Sequence, residues 1–272
     1  MITLSDVSVA IDGTPIVADI SATIPAGRLT AIIGPNGSGK STLLKALCRD
    51  LPFSGTITLN GHDLRTLSPV AAACHRAVLP QSSTLPFPFT VREVVAMGLT
   101  AGRPGPNAQR VARLPEEALE RVDLSGFGGR YYGALSGGEQ QRVQLARVLC
   151  QVWTPVLDGL PRFLFLDEPV SSLDIRHQLL IMDEARRFAD TGGGVLVVLH
   201  DLNLAAMYAD QILALRAGRL VAAGAPIAVL TDETIQSLFE APLRVGALPP
   251  AGAPFVLPQS TLARSTQTFR VA

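Results

Sequence analysis

The chain has 272 residues, with 23 Lys and Arg against 23 Asp and Glu, and 47% hydrophobic against 17% charged residues. That balance excludes a chain that is mainly disordered and argues against broad electrostatic binding of nucleic acid. The length suits one large domain, or one with an inserted subdomain. The longest stretch without a charge, residues 245–263, holds Pro249, Pro250, Pro254 and Pro258, which a membrane span would not tolerate. Asp6, Asp12 and Asp19 near the N-terminus, with no basic run, give no sign of a secretory signal. Cys48, Cys74 and Cys150 are odd in number and lack CxxC spacing, which predicts reduced thiols in a cytosolic setting.

In chain order, residues 29–33 are the first of three short apolar runs without alternation; the others are 163–166 and 195–199. Such runs suit strands buried on both faces of a parallel sheet. They end at Gly34, Asp167 and His200, and ligands in open α/β sheets bind beyond the carboxyl ends of strands, so the three ends are expected at one site. After the first run comes Gly34-Pro35-Asn36-Gly37-Ser38-Gly39-Lys40-Ser41, a full match to the phosphate-loop pattern. Its glycines let backbone N–H groups curl around phosphates, and the helix starting near Lys40 adds its positive end. Lys40 is expected to reach the β and γ phosphates, Ser41 to ligate Mg²⁺, and Thr42 to join the nucleotide contacts.

Residues 89–150 read as a mostly helical insertion. Thr90-Val91-Arg92-Glu93 is a capping box, residues 114–122 and 139–150 have helical patterns, and residues 102–107 form a Gly/Pro/Asn-rich loop. Ser136 and Glu139 form a second capping box, with Gly137 and Gly138 exposing helix-start N–H groups. This is a second anion cradle, 96 residues beyond Lys40 (136 − 40). Two acids, Asp167 and Glu168, then close the second apolar run; Asp167 takes the metal role and Glu168 that of general base. Ile181, Ala185 and Phe188 mark a crossover helix before the third run. Beyond Gly224 a short helical tail and a proline-rich end are expected. His62, His75 and His177 lack metal-ligand spacing and read as structural or surface residues.

The segment Leu135-Ser136-Gly137-Gly138-Glu139-Gln140-Gln141-Arg142 resembles the signature motif of ATP-binding cassette (ABC) proteins. In the right order, Gln81 is similar to that family's Q-loop glutamine, Ser171-Ser172-Leu173-Asp174 to its D-loop, and His200 to its switch histidine. The resemblance spans about residues 1–230. It implies an α/β P-loop NTPase core of the RecA type with a parallel sheet. Residues 1–88 and 151–225 would form that core, 89–150 the helical subdomain, and 226–272 a C-terminal extension. It implies a head-to-tail dimer with ATP and Mg²⁺ between the phosphate loop of one copy and Ser136, Gly137, Gly138 and Asp174 of the other. Glu168, His200 and Gln81 would be catalytic, and Ser41, Gln81 and Asp167 would hold the metal. One departure is Ile11, where the family usually stacks an aromatic ring on the base.

Within the family the chain resembles the ATPase subunits of importers for iron chelates, haem and vitamin B12. The run 80–91, rich in Pro and Phe, is similar to the haem-import ATPases in particular. So are Gln151-Val152-Trp153 with the long linker to Pro161, and Pro254-Phe255-Val256-Leu257-Pro258. The resemblance implies two transmembrane permease subunits as partners, a periplasmic binding protein acting indirectly, no nucleic acid, and a place on the cytoplasmic face of the bacterial inner membrane. Haem itself would pass through the permease without touching this chain. A ferric siderophore or cobalamin as cargo, or a soluble ABC ATPase outside transport, are the alternatives left open.

Overall fold

The computed structural model describes residues 1–82, 85, 87–101, 108–249 and 252–260. The chain opens with the hairpin β1 (Ile2–Ile11) and β2 (Thr14–Ile24), then β3 (Leu29–Ile33) and α1 (Lys40–Cys48). Next come β4 (Ser54–Leu59), β5 (His62–Asp63), α2 (Pro69–His75) and β6 (Arg76–Leu79), followed by α3 (Val91–Ala101), α4 (Ala108–Arg121) and α5 (Gly137–Gln151). A small hairpin, β7 (Val156–Leu157) and β8 (Leu160–Pro161), leads into β9 (Phe163–Asp167), α6 (Ile175–Asp190), β10 (Gly194–Val198) and α7 (Leu202–Tyr208). The hairpin β11 (Gln211–Arg216) and β12 (Arg219–Gly224) precedes α8 (Pro226–Val229) and α9 (Asp232–Phe239).

Every residue of β3, β9 and β10 is buried, so apart from Thr30 and the terminal Asp167 their sequences are apolar rather than alternating. The three pair in parallel at the centre of a six-stranded sheet of order β12-β11-β3-β10-β9-β6, in which only β12 runs antiparallel to its neighbour. One face, with Leu29, Ala31, Leu164, Leu166, Val195 and Val197, packs in one apolar cluster with α3, α4, α5 and α6. The other, with Ile32, Phe163, Phe165, Leu196 and Val198, packs on α1 and on the antiparallel sheet β2-β1-β4-β5. The crossover residues Ile181, Ala185 and Phe188 are buried on α6 as their spacing requires.

That antiparallel sheet is not anticipated by the strand reading above. Left-handed residues at Asp6 and Asp19 break its register, each stapled by a serine opposite. Asp6 N–H donates to Ser21 Oγ and Asp19 N–H to Ser8 Oγ, both at 2.9 Å. The linker to Pro161 is likewise a tight hairpin, turned by Asp158 (φ 51°) and Gly159 (φ 78°). Segment 89–150 holds α3, α4, α5 and a 3-10 turn at Tyr132–Ala134, and among its described residues no strand beyond one bridge, Thr90 to Tyr131. Both capping boxes form. Thr90 N–H reaches Glu93 Oε2 at 2.7 Å, and the Glu93 N–H reaches back to Thr90 Oγ1 at 3.3 Å. The expected loop at 102–107, part of the run 80–91 and part of the stretch 245–263 lie outside the described residues.

The C-terminal segment packs on the body of the protein. Leu243, Leu248, Phe255 and Leu257 line an apolar pocket with Leu202 and Ala206 of α7, and Gln259 Nε2 donates to Asn203 O at 3.0 Å. The cysteines are free, and burial pushes the thiols of Cys48 and Cys150 up to about 12. No helix among the described residues is long and apolar enough to cross a membrane.

The turn between β11 and β12 ties both sheets to the phosphate loop. Gly218 (φ 77°) accepts from Ala18 N at 2.8 Å and donates to Ser38 O at 3.1 Å, and a Cβ there would sit 2.3 Å from Ile16 O. Gly218→Ala is therefore expected to lower stability by about 2 kcal/mol or more, from the left-handed backbone alone and then the clash. Urea unfolding of the two proteins checks it.

Candidate active site

The phosphate loop leaves β3 at Gly34 and enters α1 at Lys40. Gly34 (φ 149°) passes so close to β11 that a Cβ would lie 2.1 Å from Leu215 O and 2.7 Å from Ser38 Oγ, so only glycine fits there. Gly37 (φ 77°) and Gly39 (φ 97°) also need left-handed backbone, and Gly39 is the N-cap of α1. Pro35 and Asn36 complete the curl. Lys40 arches back over it and donates through Nζ to Gly34 O and Pro35 O, each at 2.9 Å. Burial lowers the affinity of this ammonium for its proton, opposed by the carboxylates of Glu168 and Asp167.

Two residues from the start of α1 and the end of β9 meet here: Ser41 Oγ donates to Asp167 Oδ1 at 3.0 Å. Thr42 follows in the first turn of the helix. Burial pushes the Asp167 carboxyl up, with the charge of Glu168 adding to it; the Ser41 hydrogen bond, Lys45 and Lys40 pull the other way. Glu168 has a left-handed backbone (φ 49°), costing roughly 1–2 kcal/mol in a non-glycine residue. Strain of this kind persists where surrounding bonds over-determine it. Here the Glu168 carbonyl accepts from Ser171 Oγ (3.2 Å) and Gln141 Nε2 (3.4 Å). Both carboxylate oxygens are engaged as well. Gln81 Nε2 donates to Oε2 at 2.8 Å, and His200 Nε2 lies 2.7 Å from Oε1. Thus Lys40, Ser41, Gln81, Asp167, Glu168 and His200 come together at the carboxyl ends of β3, β9 and β10.

Ser136, Gly137 and Gly138 form the start of α5. The Ser136 N–H donates to Glu139 Oε2 at 2.7 Å, its hydroxyl does the same at 2.7 Å, and the Glu139 N–H reaches Ser136 Oγ at 3.4 Å. The two bonds from Ser136 hold the Glu139 carboxyl below the usual range. Within the chain this helix start meets the loop before α6: a Cβ on Gly138 would lie 3.0 Å from Leu173 Cδ2. Asp174 caps α6, its Oδ1 accepting the His177 N–H at 2.9 Å.

The sequence reading does not reach several supporting residues. Gln141, Gln144 and Gln151 are polar positions on a helix that is mostly buried, which is the signal that could have found them. Gln144 bonds Tyr132 Oη at 3.1 Å, and Gln151 bonds Ala73 O and Arg76 O at 3.0 and 2.9 Å. Ile11 stands 39% exposed beside the β1–β2 turn. Trp153 packs against the core with the Arg121 guanidinium 3.9 Å from its ring centre, and Phe89 packs there too, whereas Phe87 is exposed. His75 Nδ1 is buried with no hydrogen-bond partner among the described residues, and His177 Nδ1 bonds Asp174.

A phosphate loop at the carboxyl end of a central parallel strand, with two acids and a histidine opposite and a capped glycine helix start on a helical segment, defines an ATP-binding cassette. A family profile described as ABC transporter matches residues 17–171. The hemin import ATP-binding protein HmuV of Mesorhizobium japonicum is 61% identical over 262 residues, covering 96% of this chain and 100% of that protein. Its namesake in Rhizobium meliloti is 56% identical over 261 residues, covering 96% and 99%. A solved ATP-binding subunit of an ABC transporter superposes with a TM-score of 0.74 at 23% identity, covering 88% of this chain and 93% of that one. A dimeric ATP-binding cassette in a post-hydrolysis state, bound to ADP and phosphate, gives 0.72 at 25% identity, covering 83% and 99%. The chain belongs to the ABC transporter family.

The capping box makes a separate stability contribution. Ser136→Ala is expected to cost about 1 kcal/mol at neutral pH, and Ser136→Thr much less. Because Ser136 depresses the Glu139 pKa, the part of this contribution carried by the Glu139 carboxylate is present above the carboxyl's unfolded value and lost as pH falls through the lower folded one. Urea unfolding at pH 7 and again near the bottom of the carboxylate range should show the gap between the parent protein and the Ser136→Ala variant narrowing, with the share of the Glu139 N–H cap bond remaining.

Proposed function

We propose that the chain is the ATP-hydrolysing subunit of an importer that carries haem across the bacterial inner membrane. It works on the cytoplasmic face as a head-to-tail pair beneath two transmembrane permease subunits, supplied indirectly by a periplasmic binding protein. The observation that carries this reading is 61% identity over nearly the full length of both chains to a hemin import ATP-binding protein. In it, residues 1–88 and 151–225 are the ATP-binding core, 89–150 the helical arm toward the permease, and 226–272 an extension. Haem passes through the permease, and no nucleic acid is involved.

The residues divide the work by chemistry. Backbone N–H groups of Gly34, Asn36, Gly37, Ser38 and Gly39, on a curl shaped by Pro35, cradle the ATP phosphates with Lys40, Ser41 and Thr42 at the start of α1. Ser136, Gly137, Gly138 and Asp174 of the second copy close over the same nucleotide, so the negative charge of ATP holds two electropositive helix starts together. Glu168 orients a water and takes its proton as the oxygen bonds the γ-phosphorus and the bond to the β–γ bridging oxygen breaks. His200 and Gln81 hold the two carboxylate oxygens of Glu168, and Lys40 balances charge on the transferred group. Loss of the γ-phosphate removes the bridge and lets the pair open.

Mg²⁺ fits this donor set. Ser41 Oγ and Asp167 Oδ1, 3.0 Å apart, are hard oxygen donors beside the loop, and Gln81 offers its Oε1. No cluster of His, Cys, Asp or Glu among the described residues could hold a metal alone, so Ser41, Asp167 and Gln81 would hold Mg²⁺ together with oxygens of the nucleotide and water. When bound it supplies positive charge to the phosphate oxygens.

Glu168→Gln is expected to lower ATP turnover by at least about a hundredfold while retaining ATP binding, whereas Lys40→Ala weakens nucleotide binding itself. Radiolabelled ATP retention and phosphate release separate the two. The cargo is tested by ATP turnover of the complex that co-purifies with this chain, placed in liposomes. Stimulation by the haem-loaded binding protein, and none by a ferric-siderophore- or cobalamin-loaded one, is the expected result. Absence of any co-purifying membrane protein would overturn the reading.

A further inference from the structure

Asp174 caps α6 through one backbone bond, yet it is held a second time. Its Oδ2 accepts His177 Nδ1–H at 2.9 Å, in addition to the His177 N–H on Oδ1. A helix cap needs only the first of these. With Nδ1 as the donor, the far nitrogen, Nε2, faces Asp123 Oδ2 at 3.8 Å, and Arg176 Nη2 bonds that same oxygen at 2.8 Å. Asp123 lies just beyond α4 with a left-handed backbone (φ 58°). Its carbonyl and that of Val122 accept from Arg142 Nη1 on α5 at 2.9 and 3.0 Å. The bonded line from α6 to the helix that presents Ser136 therefore runs through Arg176 and Asp123 to Arg142, with His177 packed beside it and bonded to Asp174. Two further contacts support the loop: Gln178 Nε2 on Leu173 O at 3.0 Å, and the approach of Gly138 to Leu173. His177 is mostly buried, at 18% exposure, while Asp174 stands out at 66%. The inner residue is the strut and the outer one the contact.

We propose that His177 is a positioning residue for ATP hydrolysis, fixing Asp174 on a loop that Arg176 and Asp123 join to the helical arm that carries Ser136. The two surfaces that close on the partner copy's nucleotide are thereby held at one spacing before closure. This rests on the reading of the chain as half of a nucleotide sandwich. The Nδ1 bond supplies the orientation, and the Arg176–Asp123 pair supplies the link between arm and core.

The test uses the full chain in a Glu168→Gln background with ATP and Mg²⁺, reading the monomer–dimer equilibrium by sedimentation. Adding His177→Ala should weaken dimerisation about tenfold, the loss expected for one charge-assisted hydrogen bond. Binding of a fluorescent ATP analogue to the monomer should not change. His177→Asn, whose amide can stand where Nδ1 does, should restore the dimer, and His177→Gln should not. Asp123→Ala leaves the helix cap intact and should weaken the dimer in the same direction by less. In the wild-type background His177→Ala should lower kcat with KM for ATP unmoved. Undiminished dimerisation by His177→Ala, or an Asn variant as weak as the Ala one, would overturn the proposal. If the Glu168→Gln parent itself stays monomeric with ATP, the sandwich reading is what has failed, and this inference falls with it.

Discussion

The register of three buried parallel strands decides where the chemistry is. Val198 of β10 stands level with Ile32 of β3 on one side and with Asp167 of β9 on the other. Gly34 and His200 each lie two residues beyond that level, and Glu168 lies one beyond. A slip of one residue in either pairing would turn every side chain of the slipped strand to the opposite face. It would also carry Asp167 away from Ser41. The slip is prevented by the core: Phe163 and Phe165 face one apolar cluster and Leu164 and Leu166 the other, with none of them more than 1% exposed. The apolar character of these strands thus fixes the position of polar groups it never touches.

Against that rigid frame the site is energetically uncomfortable. Lys40 and Asp167 are buried charges, and Glu168 holds a conformation that ordinary residues avoid. Each is tolerated because a neighbour answers it: two loop carbonyls for Lys40, the Ser41 hydroxyl for Asp167, three donors on the carbonyl and hydrogen-bond partners on both side-chain oxygens for Glu168. The same groups stand together at the strand ends beside the phosphate loop.

What can be read in advance follows from physics of different range. The buried strands, both capping boxes and the phosphate loop are local patterns, and the structure places them where spacing predicts. The antiparallel sheet escapes such a reading because its alternation, visible in Ile2 and Leu4 and again in Val7 and Val9, changes phase at the bulge on Asp6. Its turns are legible nonetheless. Asp12-Gly13 and Asn60-Gly61 are dipeptides that favour tight hairpins, and the same holds for Asp158-Gly159 in the stretch between Trp153 and Pro161. Ala217-Gly218 makes the same turn without the polar residue that would announce it. The support of the phosphate loop by that last hairpin, and of Glu168 by Gln141, joins residues far apart in the chain. No window of sequence shows such contacts.

The way α5 is fastened bears on how force could pass between the helical segment and the core. The helix is attached across that boundary by Gln141 to the Glu168 carbonyl, by Arg147 to Val78 O at 3.5 Å, and by Gln151 to Ala73 O and Arg76 O. All three are long side chains with several rotatable bonds, ending on backbone carbonyls rather than on other side chains. Such arms can re-extend by about an ångström and keep their partners, whereas an interlocked apolar contact loses much of its attraction over the same gap. These polar arms therefore behave as sprung tethers beside the apolar packing of α5 on the sheet, able to follow a small rotation of the helix without breaking.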